Sequence, residues 1–251
     1  MDLELKGRTA LITGGSKGIG WACAQAFAAA GCNLALAARD ATALSQRAAL
    51  LESEYGVSVR THALDLRDRE QRRALVQLSE DLDILVNNAG DIPMGSVEAI
   101  DDEAWRNAWE LKVFGTIDLT RALLPVLRER GGGVIVNVIG MSALNPSYDY
   151  ACGATANAAL HAFTRAVGMG SKSFGVRVVG VLPPATRTER LQTVMKQLAL
   201  ARYGDESQTE RLFKDRVWPM PIEPSQVADS VVWLASARSS HLSGVILNLG
   251  S

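Results

Sequence analysis

Thr13-Gly14-Gly15-Ser16-Lys17-Gly18-Ile19-Gly20 follows the apolar run Ala10-Leu11-Ile12 and leads into Ala22, Cys23, Ala26, Phe27 and Ala30. From Ile19 onward these apolar positions keep the i, i+3, i+4, i+7 spacing of a helix with one apolar face, and Gly31 stops it. A strand that ends in a glycine-rich turn and opens a helix is the context in which such a turn cradles a dinucleotide. Gly14 permits the tight turn, Gly18 lets backbone amides approach a pyrophosphate, and Gly20 lets helix and strand pack closely. The helix then presents free N–H groups and the positive end of its dipole to the anion. The contacts expected on this segment are Gly14, Ser16, Lys17, Gly18, Ile19 and Gly20.

Outward from that turn, short apolar segments recur at Arg8–Thr13, Asn33–Ala38, Val57–Leu64, Asp83–Val86, Gly133–Ile139, Val176–Leu182 and Val245–Leu249, with helical patterns between them. Alternating strand and helix builds a parallel sheet with helices on both faces. Nearly continuous apolar runs such as Val134-Ile135-Val136 are what doubly covered strands need. The chain has 251 residues, against a usual ~150 per domain, yet no Pro/Gly/Ser linker, repeat or low-complexity tract divides it. Residues 1–251 are therefore read as one doubly wound α/β domain of Rossmann type with a seven-stranded parallel sheet. The long helix-prone interruption from Pro183 to Pro224 is expected to form a substrate lid at about 184–222, at the carboxyl end of the sheet.

Hydrophobic residues at 47% and charged residues at 21% exclude a disordered chain, a collagen and a small disulfide scaffold. Twenty-six basic against 27 acidic residues leave a net charge of -1, which argues against nucleic acid as a partner. Met1–Lys6 holds no basic segment followed by an apolar one, and no apolar run approaches the ~18 residues of a membrane span. A cytoplasmic protein without a membrane partner is expected. Cys23, Cys32 and Cys152 lack Cys-x-x-Cys spacing, so the reading is buried, reduced thiols, with neither a disulfide framework nor a metal site.

At the end of the second strand an NAD site offers a carboxylate to the ribose 2'-hydroxyl, but the chain reads Ala37-Ala38-Arg39. Arg39, helped by Lys17, can pair with a 2'-phosphate, so NADP(H) is expected over NAD(H). Two solvated surface cations are the alternative.

These features together resemble the short-chain dehydrogenase/reductase family over almost the whole chain. Beyond Thr13–Gly20, Asp65 and Leu66 after the third strand are similar to the family's adenine contact, and Asn87-Asn88-Ala89-Gly90 to its fourth-strand motif, which brings Asn88, Ala89 and Gly90 to the cofactor. Thr188 matches the threonine that holds the nicotinamide carboxamide, and Val227-Ala228-Asp229, Leu234-Ala235-Ser236 and Ser243-Gly244 follow the C-terminal pattern. Where the family has Pro-Gly after the sixth strand, this chain has Pro183-Pro184, and Pro cannot take the positive φ open to Gly.

The larger departure is at the reaction centre. Active members of the family carry an Asn, a Ser and a Tyr-x-x-x-Lys, in which Tyr gives a proton to the carbonyl oxygen as hydride arrives and Lys lowers the Tyr pKa and grips the ribose. Val136-Asn137-Val138 upstream and Asn157-Ala158-Ala159-Leu160 downstream set the same register: Gly140 stands at the Ser, Gly153 at the Tyr, Asn157 at the Lys, and Lys112 at the Asn. No lysine lies between Lys112 and Lys172. Substitute groups are nearby. Tyr150 precedes Gly153 by one helical turn, and the missing ring leaves space for its own. Lys112 can supply the cation lost at Asn157, although a solvated lysine is the plain alternative. Ser142 and Tyr148 are close in sequence, but loop exposure explains either. His161 reads as a core or interface histidine, and Cys152 has no flanking base. Arg67, Arg69, Arg72 and Arg73 read as a solvated face.

Three classes of function follow from the residues. The first is an NADP(H)-dependent oxidoreductase acting on a small carbonyl or alcohol through Tyr150, Lys112, Ser142 and Asn157. The second is a lyase or hydrolase on the same scaffold, and the third a nucleotide-binding protein without turnover. The lid carries Leu191, Val194, Met195, Leu198, Leu200 and Phe213 with Arg187, Arg190, Arg202 and Arg211 among them, which suits an apolar substrate with one anionic group or an amphipathic surface helix. The resemblance implies a homo-oligomer, tetramer or dimer, built on the helices containing Trp105–Leu127 and Asn157–Gly170.

Overall fold

The computed structural model describes residues 2–215 and 220–250. Chain order is β1 (Thr9–Thr13), α1 (Gly18–Ala29), β2 (Asn33–Ala38), α2 (Ala41–Tyr55), β3 (Val59–Ala63), α3 (Arg69–Gln77) and β4 (Ile84–Asn87). There follow α4 (Asp102–Trp109), a π-helical stretch Glu110–Phe114, α5 (Gly115–Glu129), β5 (Gly133–Val138), α6 (Ala151–Ser171) and β6 (Val176–Leu182). The chain closes with α7 (Glu189–Tyr203), α8 (Thr209–Lys214), α9 (Pro224–Ala235) and β7 (Ile246–Asn248).

The seven strands form one parallel sheet in the order β3-β2-β1-β4-β5-β6-β7. Because side chains alternate across a strand, Ala10 and Ile12 of β1 enter a core with Phe27 of α1, Leu44 of α2 and Val231 of α9, whereas Leu11 enters the opposite core with Leu75 of α3 and Leu123 of α5. β3 departs from the continuous apolar pattern: as an edge strand, Val-Arg-Thr-His-Ala leaves three of its five residues exposed. The strand order reverses between β1 and β4, and that switch point opens the crevice in which α/β sheets bind ligands.

Two features were not expected. Arg72 belongs to no solvated face. It is 3% exposed, on the same inward face of α3 as Leu75, and pairs with Glu110 at 2.6 Å and Asp118 at 2.9 Å. This double pair clamps the second unexpected element, the π-helical turn between α4 and α5 that carries Lys112. The 184–222 segment is mostly helical, as α7 and α8; its residues 216–219 lie outside the described residues.

Candidate active site

The glycine turn is held by what it cannot accommodate. Gly14 and Gly18 adopt φ of +68° and +58°, values that favour glycine. A side-chain carbon on Gly20 would be driven into the Gly14 carbonyl, 2.8 Å from its carbon, so α1 packs on the turn only with hydrogen there. The Thr13 hydroxyl accepts from the amides of Asn88 (2.9 Å) and Ala89 (3.0 Å) and donates to the Val86 carbonyl (3.2 Å). Asn88 Nδ2 donates to the Thr13 carbonyl at 2.9 Å, locking Asn88-Ala89-Gly90 against the turn. Arg47, which the sequence did not single out, stacks over Trp21 and donates from Nε to the Ser16 carbonyl at 3.3 Å. Thr13, Gly14, Gly20, Asn88 and Ala89 are thus packed together at the turn. A bare backbone at Gly14, Gly18 and Gly20 and an unobstructed α1 N-terminus fit a pyrophosphate.

The crevice extends to both sides. Arg39, at the end of β2, is more than half exposed, 4.0 Å from Asp91. Asp65 turns inward on its own loop, accepting from the Arg67 amide at 2.9 Å, while the Leu66 carbonyl accepts from the buried Arg72 at 2.6 Å. Thr188 caps α7 by accepting from the Leu191 amide at 3.2 Å, and its methyl lies 3.3 Å from where a side chain on Gly18 would begin. The start of α7 therefore lies directly over the glycine turn.

Of the four positions expected at the tetrad, Gly140 and Asn157 meet directly, and Lys112 reaches the residue before Gly140. Gly140 has φ +145°, and a side chain there would press on Asn157 Nδ2 at 2.8 Å. That amide instead donates to Ser142 Oγ at 2.7 Å, and Asn157 Oδ1 is buried with no partner among the described residues. A side-chain carbon on Gly153 would collide with the Tyr150 ring at Cζ, Cε1 and Cε2, the last 2.6 Å away. The ring of Tyr150 thus fills the slot vacated at Gly153. Tyr150 is the residue before α6, bridged to Gly95. Burial pushes its hydroxyl above the ordinary range, against the opposing pull of the Arg190 guanidinium. Tyr148, in contrast, sits on the surface and donates to Glu98 at 2.9 Å.

Lys112 runs beneath Gly90, and its Nζ donates to the Ile139 carbonyl at 2.8 Å. Burial, reinforced by the nearby Arg190 charge, pulls the ammonium down to about 7. Lys112 is therefore not a freely solvated lysine: its ammonium is held on the Ile139 carbonyl. Cys152 is fully buried, its thiol raised by burial, and the Cys152 carbonyl accepts from the Trp109 indole at 3.3 Å.

Arg190 is the residue whose role the sequence concealed. From the first turn of α7 it reaches back to donate to the carbonyls of Gly90 (3.3 Å) and Ile92, next to Tyr150 and Lys112. The available signal was a cation at the positive end of a helix, where the dipole disfavours it.

Comparison with known proteins agrees with this architecture. The family description of the short chain dehydrogenases matches residues 8–199. A 2-keto-3-deoxy-L-fuconate dehydrogenase of Xanthomonas campestris pv. campestris is 33% identical over 247 residues, 97% of this chain and 79% of that protein. A 2,3-dihydro-2,3-dihydroxybenzoate dehydrogenase of Escherichia coli is 28% identical, covering 99% of this chain and 98% of the relative. The crystal structure of L-sorbose reductase from Gluconobacter frateurii, complexed with NADPH and L-sorbose, superposes with a TM-score of 0.91 at 30% identity, over 99% of this chain and 97% of that one. With the glycine turn, the sheet order and the Asn-Asn-Ala-Gly loop in place, the match over residues 8–199 makes the chain a member of the short-chain dehydrogenase/reductase family.

Proposed function

We propose that this protein is an NADP(H)-dependent oxidoreductase that interconverts a small carbonyl compound and its alcohol, with Tyr150 in place of the family tyrosine as proton donor. One observation carries the reading: the Tyr150 ring lies in the space left by Gly153, so a phenol is delivered to the reaction centre from one turn earlier on α6. NADP(H), when bound, supplies or accepts the hydride. Gly14, Ser16, Lys17, Gly18, Ile19 and Gly20 hold its pyrophosphate at the α1 N-terminus. Arg39 and Lys17 take the 2'-phosphate, Asp65 and Leu66 the adenine, Asn88, Ala89 and Gly90 the ribose side, and Thr188 the carboxamide. The NADPH bound by L-sorbose reductase, a structural neighbour at 30% identity, supports that choice of cofactor.

Tyr150, like any phenol, carries its proton at neutral pH; burial makes it a weaker acid, and the Arg190 guanidinium beside it works in the opposite direction, easing release of that proton. Lys112, its ammonium pulled down by burial, is held on the Ile139 carbonyl below Gly90 and is the candidate to return a proton to the site. Asn157 and Ser142 hold one another through their 2.7 Å hydrogen bond, positioning the neighbouring loop where the family has Ser and Lys. The segment 184–222 acts as a lid, with Arg190 fastening it to the Gly90–Ile92 loop. The three cysteines, buried and unpaired, suit a reducing compartment such as the cytoplasm. Self-association, as a tetramer or dimer, would use the helices that contain Trp105–Leu127 and Asn157–Gly170, on which Phe114 and Met169 are exposed.

The test is NADPH absorbance against a panel of aldehydes and ketones. Tyr150→Phe should lower kcat and kcat/KM together by about 10²-fold while NADPH affinity stays within a factor of two or so. Unchanged turnover in that variant would remove Tyr150 from the chemistry. Tight NADPH binding without oxidation by any carbonyl would leave a nucleotide-binding protein that does not turn over.

A further inference from the structure

We propose that the carbonyl substrate also carries a carboxylate, and that the Arg190 guanidinium binds it where α7 folds back over the carboxyl end of β4. This rests on the oxidoreductase reading above and narrows its substrate class to oxo acids and hydroxy acids. A guanidinium has five N–H donors. Arg190 directs Nη1 and Nη2 at the neutral carbonyls of Gly90 and Ile92, which fixes the plane of the fork and leaves three of its five N–H groups outside those two bonds. Its side chain is 42% exposed, and the carboxylate beside it, Asp91, stands off at 4.0 Å, beyond hydrogen-bond length.

Local helix energetics does not favour this placement, because a cation in the first turn of a helix opposes the dipole; the hydrogen bonds to the Gly90 and Ile92 carbonyls hold it there, close to Lys112 under Gly90, whose ammonium it helps pull down. The groups confronting one another there are Arg190 from α7, Lys112 from the π-helical turn, Tyr150 and Cys152 at the start of α6, and Asp91 from the loop after β4. Asp91 is shared with Arg39, also 4.0 Å away, so the cleft carries more positive than negative charge at its mouth. An anion seated on Arg190 relieves that repulsion. A planar carboxylate matches the fork bidentately, as a point charge such as lysine does not. Because the Arg190 guanidinium acts on the Tyr150 hydroxyl, a carboxylate held there brings a nearby carbonyl toward the proton donor. The oxo acid takes a hydride from NADPH on its carbonyl carbon and the Tyr150 proton on its oxygen, leaving hydroxy acid and NADP⁺.

The experiment compares matched pairs, an aliphatic oxo acid and its methyl ester, by initial rates of NADPH oxidation. In parallel, butyrate and methylphosphonate are titrated calorimetrically into the NADP⁺ complex. Wild type, Arg190→Gln and Arg190→Lys are each checked for folding by thermal melt. Acid should exceed ester in kcat/KM by about 10- to 100-fold, the worth of a charge-assisted pair. The ratio should fall to about one in Arg190→Gln and recover only in part in Arg190→Lys. Butyrate should bind wild type with proton uptake, because an added anion raises the Lys112 ammonium, and should not bind Arg190→Gln. Equal rates on acid and ester would overturn the carboxylate site while leaving the oxidoreductase reading intact. If no carbonyl oxidises NADPH, that reading fails and the butyrate titration decides the site by itself: no binding, or binding unchanged in Arg190→Gln, refutes it. Methylphosphonate binding much more tightly than butyrate would refute the carboxylate as the ligand class.

Discussion

Gly153→Ala is the substitution on which the replacement of one tyrosine by another turns. Within a helix, exchanging Gly for Ala ordinarily stabilises by up to about 1 kcal/mol, since Ala loses less backbone entropy, and Gly153 lies in the first turn of α6, at the edge of where that figure applies. Here the added methyl meets three atoms of the Tyr150 ring, all closer than contact distance and the farthest 2.6 Å away. The ring must leave its slot, and overpacking of this kind costs about 1–3 kcal/mol. The net expectation is a loss of roughly 1–2 kcal/mol, a fall of about 2–8 °C in Tm for a chain of this size. In a Tyr150→Ala background the obstacle is gone, and Gly153→Ala should stabilise by the ordinary helix increment. The coupling between the two positions in a double-mutant cycle is therefore about 2–3 kcal/mol. Calorimetric melts of wild type, both single variants and the double variant measure it. Kinetics supply an independent reading: displacing the ring should cut kcat/KM about as severely as Tyr150→Phe, which leaves the packing intact. If Gly153→Ala raises Tm equally in both backgrounds, the ring does not occupy the slot and the proposed proton donor loses its structural basis.

Two further outcomes follow from the charges. Arg39→Ala should weaken NADPH by about 1–3 kcal/mol in a calorimetric titration and leave NADH almost untouched; equal losses for both cofactors would show that Arg39 does not read the 2'-phosphate. Lys112, pulled down to about 7 in the folded chain against roughly 10.4 unfolded, binds fewer protons folded than unfolded between those values. Stability should therefore rise with pH between about pH 7 and 9, and in Lys112→Met that rise, on the order of a few kcal/mol, should disappear along with any limb near 7 in the pH–rate profile. A profile and a stability curve that keep their shape in Lys112→Met would mean that the lysine is solvated and plays no part in proton exchange.

What the sequence determined by itself is what local chain geometry and short-range chemistry dictate. The alternation of apolar strand and amphipathic helix announced the parallel doubly wound sheet, since each segment carries its own periodicity. Thr13–Gly20 announced the dinucleotide crevice because positive φ at Gly14 and Gly18 and the close packing at Gly20 are needs of the backbone, which a residue type reveals directly. The register also set the expectation that Gly140, Gly153, Asn157 and Lys112 stand at the family's tetrad positions. Tertiary structure decided everything that depends on which distant side chains meet. Arg72 reads as solvent-facing among neighbouring charges, yet Glu110 and Asp118, some forty residues on, turn it into a buried clamp on a π-helical turn. Lys112 carries no mark of its lowered pKa, which arises from burial and from Arg190 of a helix near the other end of the chain. Arg190 itself looked like one of several lid cations until α7 folded back onto Gly90 and Ile92. Electrostatics acts through space and dielectric surroundings, and only the folded arrangement fixes either.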